Sequence, residues 1–238
     1  SDVPIPSDYV LGPGDTLSIQ LYGKETVSLN LTLNRQGNID IPKLGPINVA
    51  GQTFSEAKSL ITSIIKERKI GVKSSISMGE LRSIRVFVLG EAYMPGSYVI
   101  SPLSTITNAL VLSGGISELG SLRNVQLKRK GKLIHSLDLY DLLLKGDTSD
   151  DAQLQSGDVV FIPPVGMQVT VDGEVRRPAI FELKEDESSQ DLIAMAGGFS
   201  AAAFPQKSVV ERFTGHSSKT VLQLNLFDKN AYTPKNGD

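Results

Sequence analysis

Apolar and polar residues alternate over several short stretches of this chain, each bounded by glycine, proline, asparagine or aspartate. That is the pattern of half-buried β-strands and their turns. "TLSIQLYG" follows a turn at Gly14 and Asp15, "SLNLTLNRQGNIDIP" (28–42) predicts a hairpin turning at Gln36 and Gly37, and "LGPINVAGQ" gives a further strand ending at Gly51. The period then changes. Phe54, Ala57, Leu60, Ile61, Ile64 and Ile65 recur at about 3.6 residues, and Thr53 with Glu56 has the spacing of a capping box. A helix therefore begins after Thr53 with one stripe against the sheet, and "VKSSISM" predicts one more strand.

From residue 86 onward the pattern repeats itself, which bears on the whole fold. "VFVLGEAYMPGSYVI" (86–100) aligns with "VTVDGEVRRPAIFEL" (169–183), placing Gly90, Glu91 and Pro95 over Gly173, Glu174 and Pro178 at one constant offset. The same offset carries "NALVLSGGIS" onto "DLIAMAGGFS", with Gly114 and Gly115 over Gly197 and Gly198, and Arg129 onto Arg212. Beyond that point the second copy has a longer turn, so that "SLDLYDLL" matches "QLNLFDKN" at a larger spacing. Each copy reads as strand, tight turn, strand, helix, hairpin and short second helix. The first helix starts after Ser104 or Thr105 in one copy and after Ser188 or Ser189 in the other, and stops at Gly114 and Gly197. A hairpin turns near Lys130 and Gly131, and "DLYDLLLKG" is one or two helical turns stopped by Gly146. One helix crossing a small sheet between two hairpins resembles a β-grasp arrangement.

With 238 residues the chain has room for two or three small domains. A net charge of -2, from 24 basic and 26 acidic side chains, provides no field to gather nucleic acid or an anionic membrane. Without cysteine there are no disulfides, thiol nucleophiles or thiolate metal sites. The two histidines, His135 and His216, stand far apart, so a metal site would have to be built from carboxylates. No apolar run approaches the roughly 20 residues that cross a bilayer as a helix, and the start has no signal-peptide pattern. These residues are expected to be soluble, and the lack of an initiator Met points to processing or excision from something longer.

Enzyme motifs are not found: no Gly-x-Ser-x-Gly, no phosphate-cradling loop with its Lys and Ser/Thr. Asp150 with Asp151, and Glu185 to Glu187, are acidic clusters suited in principle to general acid and base work or a hard cation, though adjacent loop carboxylates more often form solvated surface. Lys128 to Lys132 and Arg176 with Arg177 are basic spots that fit an acidic polysaccharide or a neighbouring subunit equally well. Sugars stack on flat aromatics. There is no Trp, and the candidates Tyr22, Tyr93, Tyr98 and Phe204 are at positions where core packing is the commoner role. "NLT" at Asn30 reads as a chance glycosylation match on a strand.

"YVLGPGDTLSIQLYG" followed by "LNRQGNIDIPKLGPINVAGQTFSEAKSLI" resembles the polysaccharide export sequence domain of bacterial outer-membrane polysaccharide export proteins. The two copies behind it are similar to the soluble-ligand-binding β-grasp (SLBB) domains that come next in that family, so the resemblance covers nearly the whole chain. It implies an α+β chain: a small mixed-sheet export domain at 1–81, a first β-grasp domain at 82–165 and a second, incomplete at its C-terminus, at 166–238. It also implies a non-enzymatic role without cofactor or metal. Such proteins form ring homo-oligomers in the outer membrane and periplasm, pass a capsular or exopolysaccharide polymer, and meet an inner-membrane copolymerase, often with a tyrosine autokinase; no nucleic acid is involved. The alternative is a soluble carbohydrate- or ligand-binding module, and a third possibility, a hydrolase, needs two carboxylates within about 10 Å across a cleft. The motif residues carried over are Gly14, Asp15, Gly37, Pro42, Gly45, Gly90, Glu91, Pro95, Gly114, Gly115, Gly173, Glu174, Pro178, Gly197 and Gly198, expected to hold the fold rather than touch substrate. Family members commonly carry a lipidated N-terminal Cys and a C-terminal membrane-spanning segment, neither of which lies in these residues. Finally, "KNGD" at 235–238 aligns with "QSGD" at 155–158, which in the first copy precedes the strand "VVFIPP". The second copy is thus expected to lack that strand, leaving a sheet edge open or filled by another chain.

Overall fold

The computed structural model describes residues 5–214, 218–228 and 232–238. The chain forms two bodies: one ends at Arg85 and includes Val99–Ser104, and the other comprises Val86–Tyr98 and Thr105–Asp238.

In the first body, β1 (Thr16–Gly23) lies between β2 (Val27–Thr32) and β5 (Val72–Met78), antiparallel to both, with Ile19 opposite Leu29 and Ile76. The alternation in β1 buries Leu17, Ile19 and Leu21 on one face. β3 (Asn38–Ile41) and β4 (Gly45–Asn48) form a separate antiparallel pair, with Ile39 opposite Ile47. The expected hairpin over 28–42 is therefore re-paired: β2 returns onto β1 and β3 goes to β4. The turn between β2 and β3 does exist, but the Asn34 side chain accepts the amides of Gln36 and Asn38, and the Gly37 carbonyl accepts those of Val49 and Ala50. A side chain satisfies groups that a β2–β3 ladder would have used, and the strands part. β4 also ends at Asn48, short of Gly51.

α1 (Phe54–Arg68) carries the predicted capping box, Thr53 Oγ1 accepting the Glu56 amide at 3.2 Å and Glu56 Oε2 the Thr53 amide at 2.9 Å. Of its stripe, Ala57, Ile61 and Ile65 are buried with Leu17, Ile19, Ile39 and Ile41, while Phe54, Leu60 and Ile64 are partly buried at the margin.

The second body contains both repeats except for Ile84, Arg85 and Val99–Ser104, which belong to the first. The first has β6 (Ile84–Gly90), β7 (Gly96–Ile100), α2 (Ile106–Leu112), β8 (Val125–Arg129), β9 (Lys132–Leu137), α3 (Leu139–Lys145) and β10 (Val159–Ile162). Their sheet order is β7-β6-β10-β8-β9, with β10 parallel to β6 and antiparallel to β8. Val86, Val88, Ile106, Ala109, Val125, Leu127, Val160 and Ile162 are at most 1 % exposed. The β8–β9 turn has φ of 50° at Lys130 and 77° at Gly131, and Gly146 caps α3 with φ 71°.

The second repeat has β11 (Met167–Val171), β12 (Ala179–Leu183), α4 (Ser189–Met195), a 3-10 turn at Pro205–Lys207, β13 (Ser208–Thr214) and β14 (Ser218–Leu224). β11-β12 and β13-β14 are two separate antiparallel pairs. The stretch matching α3 includes residues 229–231, and His216 falls in 215–217; both segments lie outside the described residues. Equivalent short bridges join Ala92 to Ile116 and Val175 to Phe199, so the aligned turns are structurally alike.

Candidate functional site

Three Gly-Asp turns share one device. Asp15 accepts the Gly12 amide at 2.9 Å, Asp158 the Gln155 amide at 2.7 Å and Asp238 the Lys235 amide at 2.8 Å, so each carboxylate closes a turn onto the residue three positions back. Each also holds an arginine. Arg129 and Arg212, which occupy equivalent positions in the two repeats, grip Asp158 and Asp238 through Nε and Nη2 at 2.7–2.8 Å. In the first body Asp15 pairs with Arg82 and also accepts from the Arg82 amide at 2.8 Å and the Tyr9 hydroxyl at 2.9 Å. The Asp15 and Asp158 side chains are wholly buried. Burial and the neighbouring Asp15 push the Tyr9 hydroxyl well above its ordinary range. At Asp238 burial works to raise the carboxyl, but hydrogen bonds from Arg212, Tyr232 and the Lys235 amide outweigh it and hold the group below the usual carboxylate range.

The joint between the repeats gathers a cluster of charged side chains around Arg123. Arg123 is 8 % exposed and donates to Asp138 from Nε at 3.2 Å and Nη2 at 2.9 Å, to Glu187 at 2.8 Å and to the Glu182 carbonyl at 3.1 Å. Its guanidinium lies 4.6 Å from the centre of the Tyr140 ring. Lys184 reaches back to Asp138 at 2.8 Å. The buried Glu182 carboxylate accepts from Ser121 Oγ at 2.7 Å, the Leu122 amide at 2.9 Å and the Gly166 amide at 2.8 Å, and the Glu182 amide donates to the Tyr140 hydroxyl at 2.9 Å. Tyr140, Leu122 and Leu144 of the first repeat pack into the core of the second with Val169, Phe181, Leu183 and Leu192, and Tyr140 meets Phe181 edge to face. The repeats therefore share a core. Sequence reasoning left out Arg123 and Glu182. The available signal was the repeat itself, because Gln206 stands at the position equivalent to Arg123, and Val99 at that of Glu182.

Most of the carried-over motif residues lie in turns, while Gly45 opens β4 and Gly90 ends β6. Gly115 and Gly198 close α2 and α4 by donating to Leu110 and Ile193, and their carbonyls receive the amides of Tyr93 and Arg176. Gly14, Gly37, Gly45, Gly114, Gly173 and Gly197 have positive φ, Pro42 stands between β3 and β4, and Pro95 and Pro178 sit exposed in the aligned tight turns. The Glu91 amide donates to the Ile162 carbonyl at 2.9 Å, and Glu174 accepts from the hydroxyl and amide of Ser200. Gly90 is sterically required: a Cβ there would stand 2.1 Å from the Ile162 carbonyl oxygen, whereas one at the equivalent Gly173 meets nothing within 4 Å. Gly173→Ala is accordingly expected to cost about 1 kcal/mol, the strain of positive φ. Gly90→Ala should cost about 3 kcal/mol or more, because backbone must move. Urea unfolding of the two variants would check this, and equal losses would contradict it.

Several surface expectations need correction. Tyr22, Tyr93 and Phe204 are 47 %, 71 % and 59 % exposed, so core packing does not account for them, and Tyr98 is half-buried with its hydroxyl donating to the Met94 carbonyl. The acidic clusters are only partly solvated surface: Glu187 holds Arg123, and Asp151 accepts the Thr107 amide and hydroxyl in the first turn of α2. Among the basic spots Arg129 is committed to Asp158, Lys128 lies over the Phe161 ring at 4.2 Å, and Arg177 donates to the Met195 carbonyl. His135 Nε2 lies 2.8 Å from the Asp150 carbonyl oxygen. Among the described residues no three His, Asp or Glu side chains cluster as metal ligands would.

Beside β11 and β13 a groove of about 860 Å³ is lined by Val169, Val171, Leu192, Val209, Phe213 and Asp238, among others. The corresponding space of the first repeat is filled by β10.

Residues 3–79 match the polysaccharide biosynthesis/export protein family, and residues 84–162 and 168–222 each match an SLBB domain. The chain is 32% identical over 180 residues to the polysialic acid transport protein KpsD of Escherichia coli, an alignment covering 75% of this chain and 32% of the relative. It is 29% identical over 177 residues to the EPS I polysaccharide export outer membrane protein EpsA of Ralstonia solanacearum, covering 73% and 47%, and 27% identical over 123 residues to the exopolysaccharide production protein ExoF of Rhizobium meliloti, covering 46% and 28%. The chain thus spans about a third to a half of the first two of these relatives' length. These families and relatives are transport and export proteins rather than enzymes. No helix among the described residues is long and apolar enough to cross a membrane. An export domain with two SLBB domains behind it, and relatives of this kind, place the chain in the family of polysaccharide export proteins.

Proposed function

We propose that this chain is a periplasmic part of a channel that carries a capsular or exopolysaccharide out of the cell, and that it works by assembling into a ring and giving the polymer passage. The observation that carries this reading is the order of the domains, an export domain followed by two SLBB domains, together with the similarity to relatives named for polysialic acid transport and EPS I export. The side chains support it. The most buried carboxylates and arginines are committed to turns and to the joint between repeats, where they stiffen the fold. The motif glycines, Glu91, Glu174 and the prolines shape turns and hold the fold rather than contact polymer. Neighbouring subunits meet through heterologous contacts that close on themselves. An inner-membrane copolymerase meets the ring from the periplasmic side.

The test is genetic and biochemical together. A strain lacking the intact protein should make the polymer and retain it inside the envelope, and crosslinking of the intact protein in cells should give a ladder of multimers. Unchanged surface polysaccharide, or monomers alone, would overturn the proposal.

A further inference from the structure

The three-stranded sheet of the first body has two faces of different chemistry, and the core accounts for one of them. Alternation in β1 turns Leu17, Ile19 and Leu21 inward and Thr16, Ser18, Gln20 and Tyr22 outward. The register extends the outward face over the flanking strands, because directly opposed residues of antiparallel strands point the same way. Thr16 stands opposite Thr32, Ser18 between Asn30 and Ser77, Gln20 between Ser28 and Ser75, and Tyr22 opposite Lys73. Thr16 and Ser18 are half-buried and the others are exposed. The Asn-Leu-Thr run at 30–32 is thus part of a surface pattern: Asn30 and Thr32 both lie on this face, while Leu31 packs on the core.

Of these side chains only Lys73 is charged, although 21% of the chain is Asp, Glu, Lys or Arg. The rest are hydroxyls and primary amides, together with the phenol of Tyr22. The sheet of the first repeat differs: on its outer face Val159 lies between Phe87 and Lys128, and Phe161 between Leu89 and Gln126. A protein partner needs apolar anchors at the centre of its interface, and nucleic acid needs rows of cations. The outer face of the β2-β1-β5 sheet offers neither. Its hydroxyls and amides both donate and accept, which matches a ligand that is itself a dense array of hydroxyls. A sugar hydroxyl bound here replaces water almost evenly, so contact is weak and a long chain can slide past.

We propose that the outer face of the β2-β1-β5 sheet is a contact surface for a polysaccharide chain, with a pyranose ring against Tyr22 and sugar hydroxyls on Ser18, Gln20, Asn30 and Ser75. Tyr22 is 47 % exposed, and a flat aromatic gives a ring face a large contact area at low entropy cost. Lys73, opposite Tyr22, receives a carboxylate where the stacked sugar is acidic. The inference rests on the reading of this chain as part of a polysaccharide channel, and it assigns a surface to the polymer's passage.

Nuclear magnetic resonance of the isotopically labelled chain tests this with maltohexaose and, separately, with an oligogalacturonate. Each sugar at millimolar concentration should shift the amide resonances of residues 16–22, 28–32 and 73–77. Tyr22→Ala should weaken both by about fivefold or more, and Tyr22→Phe should keep binding. Asn30→Ala combined with Ser75→Ala should weaken both while thermal unfolding stays as in the parent. Lys73→Ala should weaken the oligogalacturonate alone. Absence of shifts at these residues, shifts that Tyr22→Ala leaves unchanged, or shifts that grow with protein concentration alone, the mark of a second copy of this chain, would overturn the surface. Such a failure is distinguishable from failure of the channel reading, because retention of polymer in a strain lacking the protein does not depend on this face.

Discussion

Replacing Arg123 with alanine is expected to destabilise the second body by about 3–5 kcal/mol, the largest single effect anticipated in this protein. Arg123 is 8 % exposed, and Asp138 and Glu187 beside it are 12 % and 17 % exposed, so solvent cannot readily replace the guanidinium. Removing it leaves carboxylates close together and half-desolvated, one of them already partnered by Lys184, and strips the cation from the Tyr140 ring. The loss reaches both repeats, since Tyr140 belongs to the core of the second. Urea unfolding followed by circular dichroism should show an early transition, and limited proteolysis should cut between β10 and β11. An unfolding midpoint within the error of the parent's would contradict the prediction.

The same cluster sets a pH dependence. Burial acts to raise the Asp138 carboxyl, but hydrogen bonds from Arg123, Lys184 and the Tyr140 amide outweigh it and hold the folded value below the ordinary one. A depressed carboxylate contributes stability that is fully present above the unfolded value, about 3.9, and is lost as pH falls through the folded one. Acid should therefore loosen this joint below about pH 4. In Arg123→Ala that acid-sensitive contribution should shrink, because the principal group favouring the carboxylate is gone.

Asp15→Ala should destabilise the first body by about 3 kcal/mol. The wholly buried carboxylate accepts from the amides of Gly12 and Arg82, from the Tyr9 hydroxyl and from the Arg82 side chain, and alanine leaves those donors without it. Arg82→Ala should cost less, since its side chain is 27 % exposed and water can take over part of its role. Thermal unfolding of the two variants would measure the difference, and an equal or reversed order would show that the carboxylate is not the centre of the cluster.

Much of the local architecture was legible because the cause is local. The Thr53 and Glu56 capping box, the Lys130-Gly131 turn, the Gly146 stop and the alternation of β1 all depend on residues within a few positions of one another. The repeat was legible for a related reason: equivalent turns require equivalent glycines, and Gly114, Gly115, Gly197 and Gly198 close their helices in the same way. The β2–β3 hairpin was misread because a turn residue says that the chain reverses without saying which edge it then joins. Tyr22 was misread because a strand pattern does not say which face another layer covers, and Tyr93 and Phe204 because they stand outside the strands.

The sequence by itself determined most of the elements, the duplication and the family. Only the tertiary structure decided that the repeats share a core through Arg123, Tyr140 and Glu182, and that the three Gly-Asp pairs are arginine staples. Turns and caps are fixed by torsion preferences and short-range hydrogen bonds, which neighbouring residues reveal. A buried ion pair joins residues as distant in sequence as Arg123 and Glu187, and its partners are chosen by desolvation and packing once the chain has folded.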